Sequence, residues 1–488
     1  MNDPMKLAAM AVDHAQSAGA QEADARINRL RLENLSVKNG QLGIAEAPEE
    51  FGIGVRVFHK GCSGFAAAPL GLGDGESLAK ELAKRALKNA EALSVACAEV
   101  RTLAPTASGE HDWQTPVELD AFAIPLADKL DLLNRWEASM KGASETVVRQ
   151  SNYSARREEQ WQATSAGARI HQVLARAGGN ISTTAVAKGQ TQRRSYPSSF
   201  GGQFKAGGFE HLLSMKCDEH GERMRDESVA LCHADPCPGG ERTLVIGGSQ
   251  LMLQIHESVG HPNELDRVFG HEVDLAGSSF AKPEMLGGFQ YGSEHVNLVA
   301  DSTIPGGLDT RGFDDEGVAS GRWPIVEKGV FQGFHTDRTW AGKVGEAQSR
   351  ATCRSDGWYH PPIIRITNLS LMPGTWGFDE LIADCEDGSI YMDTVKMWSI
   401  DQRRLNFQFT CEVAWEIQGG KLGRLLRNPT YQGTTPAFWN SCDAVCKEEH
   451  WELWGLTNCG KGNPMQVAEM SHGAAPARFR GVQLIPAE

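Results

Sequence analysis

The segment HESVGH, residues 256–261, sets two imidazoles around a carboxylate. Histidine is the commonest metal ligand among side chains, and a glutamate beside a ligand can take a proton from metal-bound water. The familiar H-E-x-x-H spacing puts both histidines on one helical face at i and i+4. Here they stand five apart, about 140° around a regular helix of 3.6 residues per turn. The surrounding GSQLMLQIHESVGHPNELD (248–266) still reads as a helix. Ser249 is a candidate N-cap, Leu251, Ile255 and Val259 share a face, and Gly260 with Pro262 is a stop pattern. A helix that ends or distorts at Gly260 would bring His261 back toward His256. The reading is a metal site with Glu257 as general base, set against a plain helix C-terminus, where histidine is also favourable. A catalytic site needs a third protein ligand. The local candidates are Glu264, Asp266 and His271, and the two carboxylates could equally hold the histidines from behind.

Other residues weigh less. Cys232, His233 and Cys237, or Cys442 and Cys446, lack the paired C-x-x-C spacing of a structural metal site and read as ordinary thiols. Asp314, Asp315 and Glu316 read as a glycine-flanked acidic turn that supports the site. Trp415, Trp439, Trp451 and Trp454 read as core. GLGDG (71–75) lacks the lysine of a phosphate loop.

The chain has 488 residues, enough for two or three domains. Its formal charge of −14 argues against nucleic acid or an anionic membrane surface as the main partner. The N-terminal MNDPMKLAAMAVDHAQSAGAQ reads as a first helix, not as a signal peptide. No apolar run reaches the length of a membrane span. The eleven cysteines read as reduced thiols, and the expected location is the cytoplasm.

The elements that must carry the site follow from patterning. Residues 23–68 read as strands with hairpin turns at Asn39-Gly40 and Lys60-Gly61. Residues 76–96 read as an amphipathic helix, 99–118 as a linker, about 123–142 as a helix, and most of 145–215 as polar, alternating strands. HADPCPGGE (233–241) marks a boundary. Beyond it the chain is richer in strands, with hairpin turns at Lys328-Gly329 and Gly419-Gly420. The expected fold is α+β: a mixed domain over 1–232, then a β-rich domain over 233–488 that carries the HESVGH helix.

HESVGHPNELDRVFGHEVDLAGSSF with TNCGKGNPMQ (457–466) resembles the TldD branch of the TldD/PmbA family of metalloproteases. GIGVRVFHKGCSGFAAA (52–68) resembles that family's N-terminal hairpin, and RGFDDEGVASG (311–321) its acidic turn. The resemblance implies zinc held by His256, His261 and Cys459, with Glu257 as general base. It also implies cleavage of unfolded or short peptides, and a dimer with a second copy or with a metal-free PmbA/TldE-like chain. One departure is Pro262, where well-known members carry glycine; Glu264 and Asp266 keep their places. Two rivals remain: a dedicated hydrolase of a modified peptide or small-metabolite C–N bond, and a non-catalytic zinc-binding partner.

Overall fold

A computed structural model describes residues 3–71, 74–96, 102–275 and 277–487. In chain order come α1 (Pro4–Ser17), β1 (Glu22–Lys38), β2 (Gln41–Glu46), β3 (Glu49–His59), β4 (Cys62–Pro69), α2 (Gly75–Ser94), β5 (Gly109–Gln114) and α3 (Leu126–Ala138). There follow β6 (Thr146–Thr164), β7 (Ala168–Ala187), β8 (Gln190–Tyr196), β9 (Gln203–Ala206), α4 (Phe209–Ser214) and α5 (Cys217–His233). The nine strands make one sheet in the order β4-β3-β1-β6-β7-β5, with β2 on β1 and β8 and β9 on β7.

Both residues of the Asn39-Gly40 turn have positive φ (51° and 76°), as do Lys60-Gly61 (49° and 77°). That geometry matches the strand twist, so the two expected hairpins form. Helix α2 lies where its periodicity placed it, and α3 is shorter than the expected 123–142. The expected linker is corrected in part: 109–114 is β5, which adds in parallel to β7. Its sequence, GEHDWQ, lacks apolar alternation because it lies at the sheet edge, largely exposed. Residues 99–101 of that stretch lie outside the described residues.

Alternation along β1 and β3 explains the layers. Ala23, Ala25, Ile27, Ile53, Val55 and Val57 join the apolar core under α1 and α2. The intervening Arg26, Asn28 and Arg56 point to the other face and are buried as well. Their cover is the acidic turn of the C-terminal half. Asp315 accepts from Arg26 at 2.7 Å and from Gln160 at 2.8 Å, and Glu316 accepts from Arg56 at 2.9 Å. The turn expected to support the site is thus a clasp between the two halves of the chain.

The C-terminal half holds an eight-stranded mixed sheet. Strand Asn406–Gln418 pairs with Ile390–Ile400 on one side and with Thr430–Thr434 on the other. Through Gly240–Ile246 and Ala477–Ile485 the ring closes as a barrel. Beside it, Glu452–Lys461 and Gln466–Ala474 form a separate two-stranded hairpin. Helix α6 (Gly248–Ile255) is buried along its whole length in the core of this half. The expected α+β arrangement, with a β-rich second half around the site helix, is what the chain adopts. Among the described residues, no helix is long and apolar enough to cross a membrane. Among the described residues, nine cysteines are free thiols, and Cys62 departs from that expectation by being disulfide-bonded.

Candidate metal centre

The puzzle of the late histidine is resolved by the backbone. Helix α6 does not stop at Gly260. From His256 to Gly260 it widens into a π turn, and His261 N–H donates to His256 C=O. This i→i+5 bond brings residues five apart onto consecutive turns, as i+4 does in an α-helix. The ring centroids of His256 and His261 are 4.7 Å apart. The carbonyls disturbed by the widening have partners. Ser258 C=O accepts from Tyr291 Oη–H and Val259 C=O from the Asn263 amide. Gly260 has helical backbone angles, so its role is space: a Cβ there would lie 2.6 Å from Ile366 Cδ1. Ser249 is not the N-cap; Gly247 holds that position, and the Ser249 hydroxyl donates to Asp393.

Cys459 arrives from the hairpin strand Glu452–Lys461, just after a register irregularity that starts at Leu456. Such bulges re-aim side chains. Its Sγ lies 3.5 Å from His261 Nε2. The donor atoms of His256, His261 and Cys459 all fall within 4.8 Å of one another, and all three residues are buried. His271 is elsewhere, exposed and packed on Trp340.

The hydrogen bonds around these residues fix which lone pairs converge. A carboxylate only accepts, so the 2.8 Å contact from His261 Nδ1 to Glu264 Oε2 places the proton on Nδ1 and leaves Nε2 as a lone pair. His256 is set through a relay. His472 Nδ1 donates to Leu369 C=O at 2.9 Å, so its Nε2 accepts from His256 Nδ1–H at 2.8 Å. His256 Nε2 is then free as well. Burial pushes His256 down to about 4 and lowers His261, keeping both rings neutral at pH 7. Burial acts to raise the Cys459 thiol, and His261, when protonated, and the Arg365 guanidinium act to lower it. A thiol beside two imidazole lone pairs is a donor set for a divalent metal.

Behind this set, Lys461 Nζ is fully buried and bonds both oxygens of Asp266, at 2.7 and 2.9 Å, and Ile364 C=O at 2.6 Å. It also lies 3.3 Å from Glu264. Burial disfavours the Glu264 carboxylate, yet Lys461 and His261 hold it well below the usual range. The local candidates Glu264 and Asp266 therefore tie the helix to the Cys459 segment and do not join the donor set. Glu257 Oε2 accepts from Arg404 Nη1 at 2.8 Å. Sequence reasoning missed His472, Arg404 and Arg365. His472 sits in an ordinary alternating strand, and nothing in its spacing marks it.

A second group, Glu316, Asp337 and Cys353, also falls within 4.8 Å. Three of its four carboxylate oxygens are already engaged. Glu316 accepts from Arg56 and from Arg338 N–H, and one Asp337 oxygen accepts from Thr339 and Trp340 N–H.

Three family models match the chain: PmbA/TldA metallopeptidase domain 1 over 23–90, the central domain over 120–230 and the C-terminal domain over 242–484. A metalloprotease of Methanocaldococcus jannaschii is 31% identical over 237 residues, 49% of each chain. A metalloprotease of Methanothermobacter thermautotrophicus is 27% identical across 95% of each. A protein of Saccharolobus solfataricus named a zinc metalloprotease TldD homolog is 24% identical over 50% of this chain and 52% of its own. The fold matches TldE from Thermococcus kodakarensis with TM-score 0.75 at 16% identity, over 97% of this chain and 98% of that one. It matches a Thermotoga maritima structure, described as a candidate modulator of a DNA gyrase, with TM-score 0.78 at 17% identity, over 98% and 99%.

Proposed function

The chain belongs to the PmbA/TldA metallopeptidase family, and we propose that it is a zinc-dependent peptidase acting on unfolded or short peptides. The observation that carries the reading is the convergence of two imidazole lone pairs and a thiol beside Glu257. His256, His261 and Cys459 would hold zinc. Tetrahedral zinc with ordinary bond lengths separates nitrogen and sulfur ligands by about 3.6 Å, against the 3.5 Å between His261 Nε2 and Cys459 Sγ. Three protein ligands leave a position open for water or substrate. Bound there, zinc supplies Lewis acidity that makes the water acidic and polarises the peptide carbonyl.

The chain's own residues supply the rest. Glu257 accepts a proton from the attacking water and returns it to the departing amine. Glu264 and His472 keep the imidazoles in the tautomers that face the site. The donors are only 2–4% exposed and Glu257 is 6% exposed. A folded surface cannot enter such a site, whereas an extended backbone can, which supports unfolded or short peptides as substrates. The strand carrying Cys459 belongs to a two-stranded hairpin, and a peptide could add to a strand edge by main-chain hydrogen bonds. The likeness to TldE supports a dimer with a metal-free chain of that type, or with a second copy. A cytoplasmic location is proposed from the nine cysteines that are free thiols among the described residues.

The test is metal content by mass spectrometry with peptidase assays on an unstructured peptide. The expected result is about one zinc per chain in the wild type, lost in Cys459→Ala and retained in Glu257→Gln, with both variants inactive. Normal activity in Glu257→Gln would refute the mechanism and move the reading toward a zinc-binding partner.

A further inference from the structure

Arg404 stands in the loop between strands Ile390–Ile400 and Asn406–Gln418 with φ of 60°, a left-handed conformation unusual for a side chain of its size. The loop holds it there. Its N–H donates to Asp401 C=O at 3.0 Å, and its C=O accepts from Thr435 Oγ1 at 3.0 Å. The Asp401 carboxylate takes Leu405 N–H at 2.8 Å and the Asn406 amide at 2.6 Å. A strained backbone fixed from both sides delivers a guanidinium to Glu257, the carboxylate next to His256 in the chain. Nη1 reaches Glu257 at 2.8 Å, and the buried Nε–H has no partner among the described residues. The guanidinium is also close enough to Glu264 and Cys459 to feel their charge.

We propose that Arg404 is a catalytic residue that stabilises the oxyanion of peptide hydrolysis, an inference that rests on the peptidase reading. Before reaction its charge is balanced by Glu257. In the addition step one water proton passes to Glu257, the water oxygen bonds to the carbonyl carbon, and the C=O π pair moves to the carbonyl oxygen. Net charge is conserved, but the anion has moved from Glu257 to the substrate. Arg404 loses its counter-ion at the moment the new anion forms, and its unspent Nε–H is a donor held for it. Such a donor stabilises the transition state more than the ground state, so it acts on kcat.

The experiment uses the zinc-loaded full chain with Arg404→Ala and Arg404→Lys. The expected result is a loss of about 10²–10³ in kcat for Arg404→Ala with KM changed less than about threefold. Zinc content should stay at the wild-type value. Arg404→Lys, or guanidinium added to Arg404→Ala, should restore part of the rate. A second measurement separates oxyanion binding from mere aiming of Glu257. In a Glu257→Gln background, removing Arg404 should still weaken binding of a phosphinic peptide, a mimic of the tetrahedral anion, and leave binding of the substrate peptide unchanged. Unchanged phosphinic affinity would overturn the proposal. So would zinc loss, a KM effect without a kcat effect, or a rate loss confined to peptides with a free C-terminal carboxylate. If Arg404→Ala does not fold, Arg404→Lys carries the same kinetic and binding comparison. An active Glu257→Gln enzyme would instead overturn the peptidase reading beneath it.

Discussion

The candidate metal centre and the clasp at the acidic turn are both buried clusters of ionisable side chains, and they use hydrogen bonds in opposite ways. At the clasp, arginines and backbone N–H groups take up the carboxylate oxygens, from Arg26 and Gln160 on Asp315 to Arg56 and Arg338 N–H on Glu316. At the centre, hydrogen bonds fall on the rear atoms, the two Nδ1 positions, and leave the forward lone pairs unspent. Closed valence makes a joint, and open valence makes a site. Proximity of acidic and thiol groups alone does not distinguish them.

Several substitutions break or sharpen this contrast. The largest effect is expected at the centre: Cys459→Ala should remove the zinc and reduce peptidase activity to background, measured by metal content and peptide turnover. At the clasp the expected cost is in stability. Arg56→Leu leaves Asp24 and Glu316 buried without their counter-ion, which should cost about 3–5 kcal/mol in denaturant unfolding while zinc per folded chain stays unchanged. Loss of zinc with Arg56→Leu would show that the two clusters are one unit. A smaller effect is expected from His472→Phe, which removes the acceptor that fixes His256. Zinc affinity should fall about 10–100-fold in a chelator competition, with the melting temperature of the metal-free protein little changed.

Acid should separate the buried histidines from Asp315 of the clasp. Burial pushes His256 and His211 down to about 4 and His335 to about 3. Each is neutral in the fold but protonates near 6.5 in the unfolded chain. The unfolded chain therefore binds more protons between about pH 6.5 and 4, and the metal-free protein should lose stability as pH falls through that window. Asp315 acts lower down. Burial raises it, but Arg26 and Arg311 outweigh burial and hold it below the usual carboxylate range. Its contribution is present above about pH 4 and lost only beneath it. Urea melts of the metal-free chain at several pH values check the order, and His335→Phe should flatten only the upper window.

Much of this was legible in the sequence, for reasons that differ by residue. The hairpins at Asn39-Gly40 and Lys60-Gly61 were visible because positive φ selects glycine, and at 39 asparagine, between alternating strands. The neighbourhood of His256, Glu257 and His261 was visible because it lies on one short segment. Cys459, 198 residues from His261, entered through family resemblance, since spacing left Glu264, Asp266 and His271 open. His472 and Arg404 were not legible, because their roles arise from where a strand and a loop meet the helix. The β5 strand was hidden by its exposure at an edge, where patterning has no buried face to report. The burial of Arg26, Asn28 and Arg56 was hidden for the converse reason: a polar face covered by another part of the chain has the same alternation as one covered by water.

The π turn has a consequence for how this helix tolerates change in length. One extra residue per turn offsets everything beyond it by about 100° relative to a continuous α-helix. Glu264, Asp266 and the hydrogen bond from Leu265 N–H to His335 C=O are all set in that offset phase. Were the same residues to run on as an unbroken α-helix, His261 would turn away from His256 and carry Glu264 and Asp266 away from Lys461, whereas deleting Val259 would remove the extra residue and keep the present phase with the commoner histidine spacing of four. The five-residue spacing is therefore a frame shift in three dimensions, and the lysine and glutamate behind the histidines are written in the shifted frame.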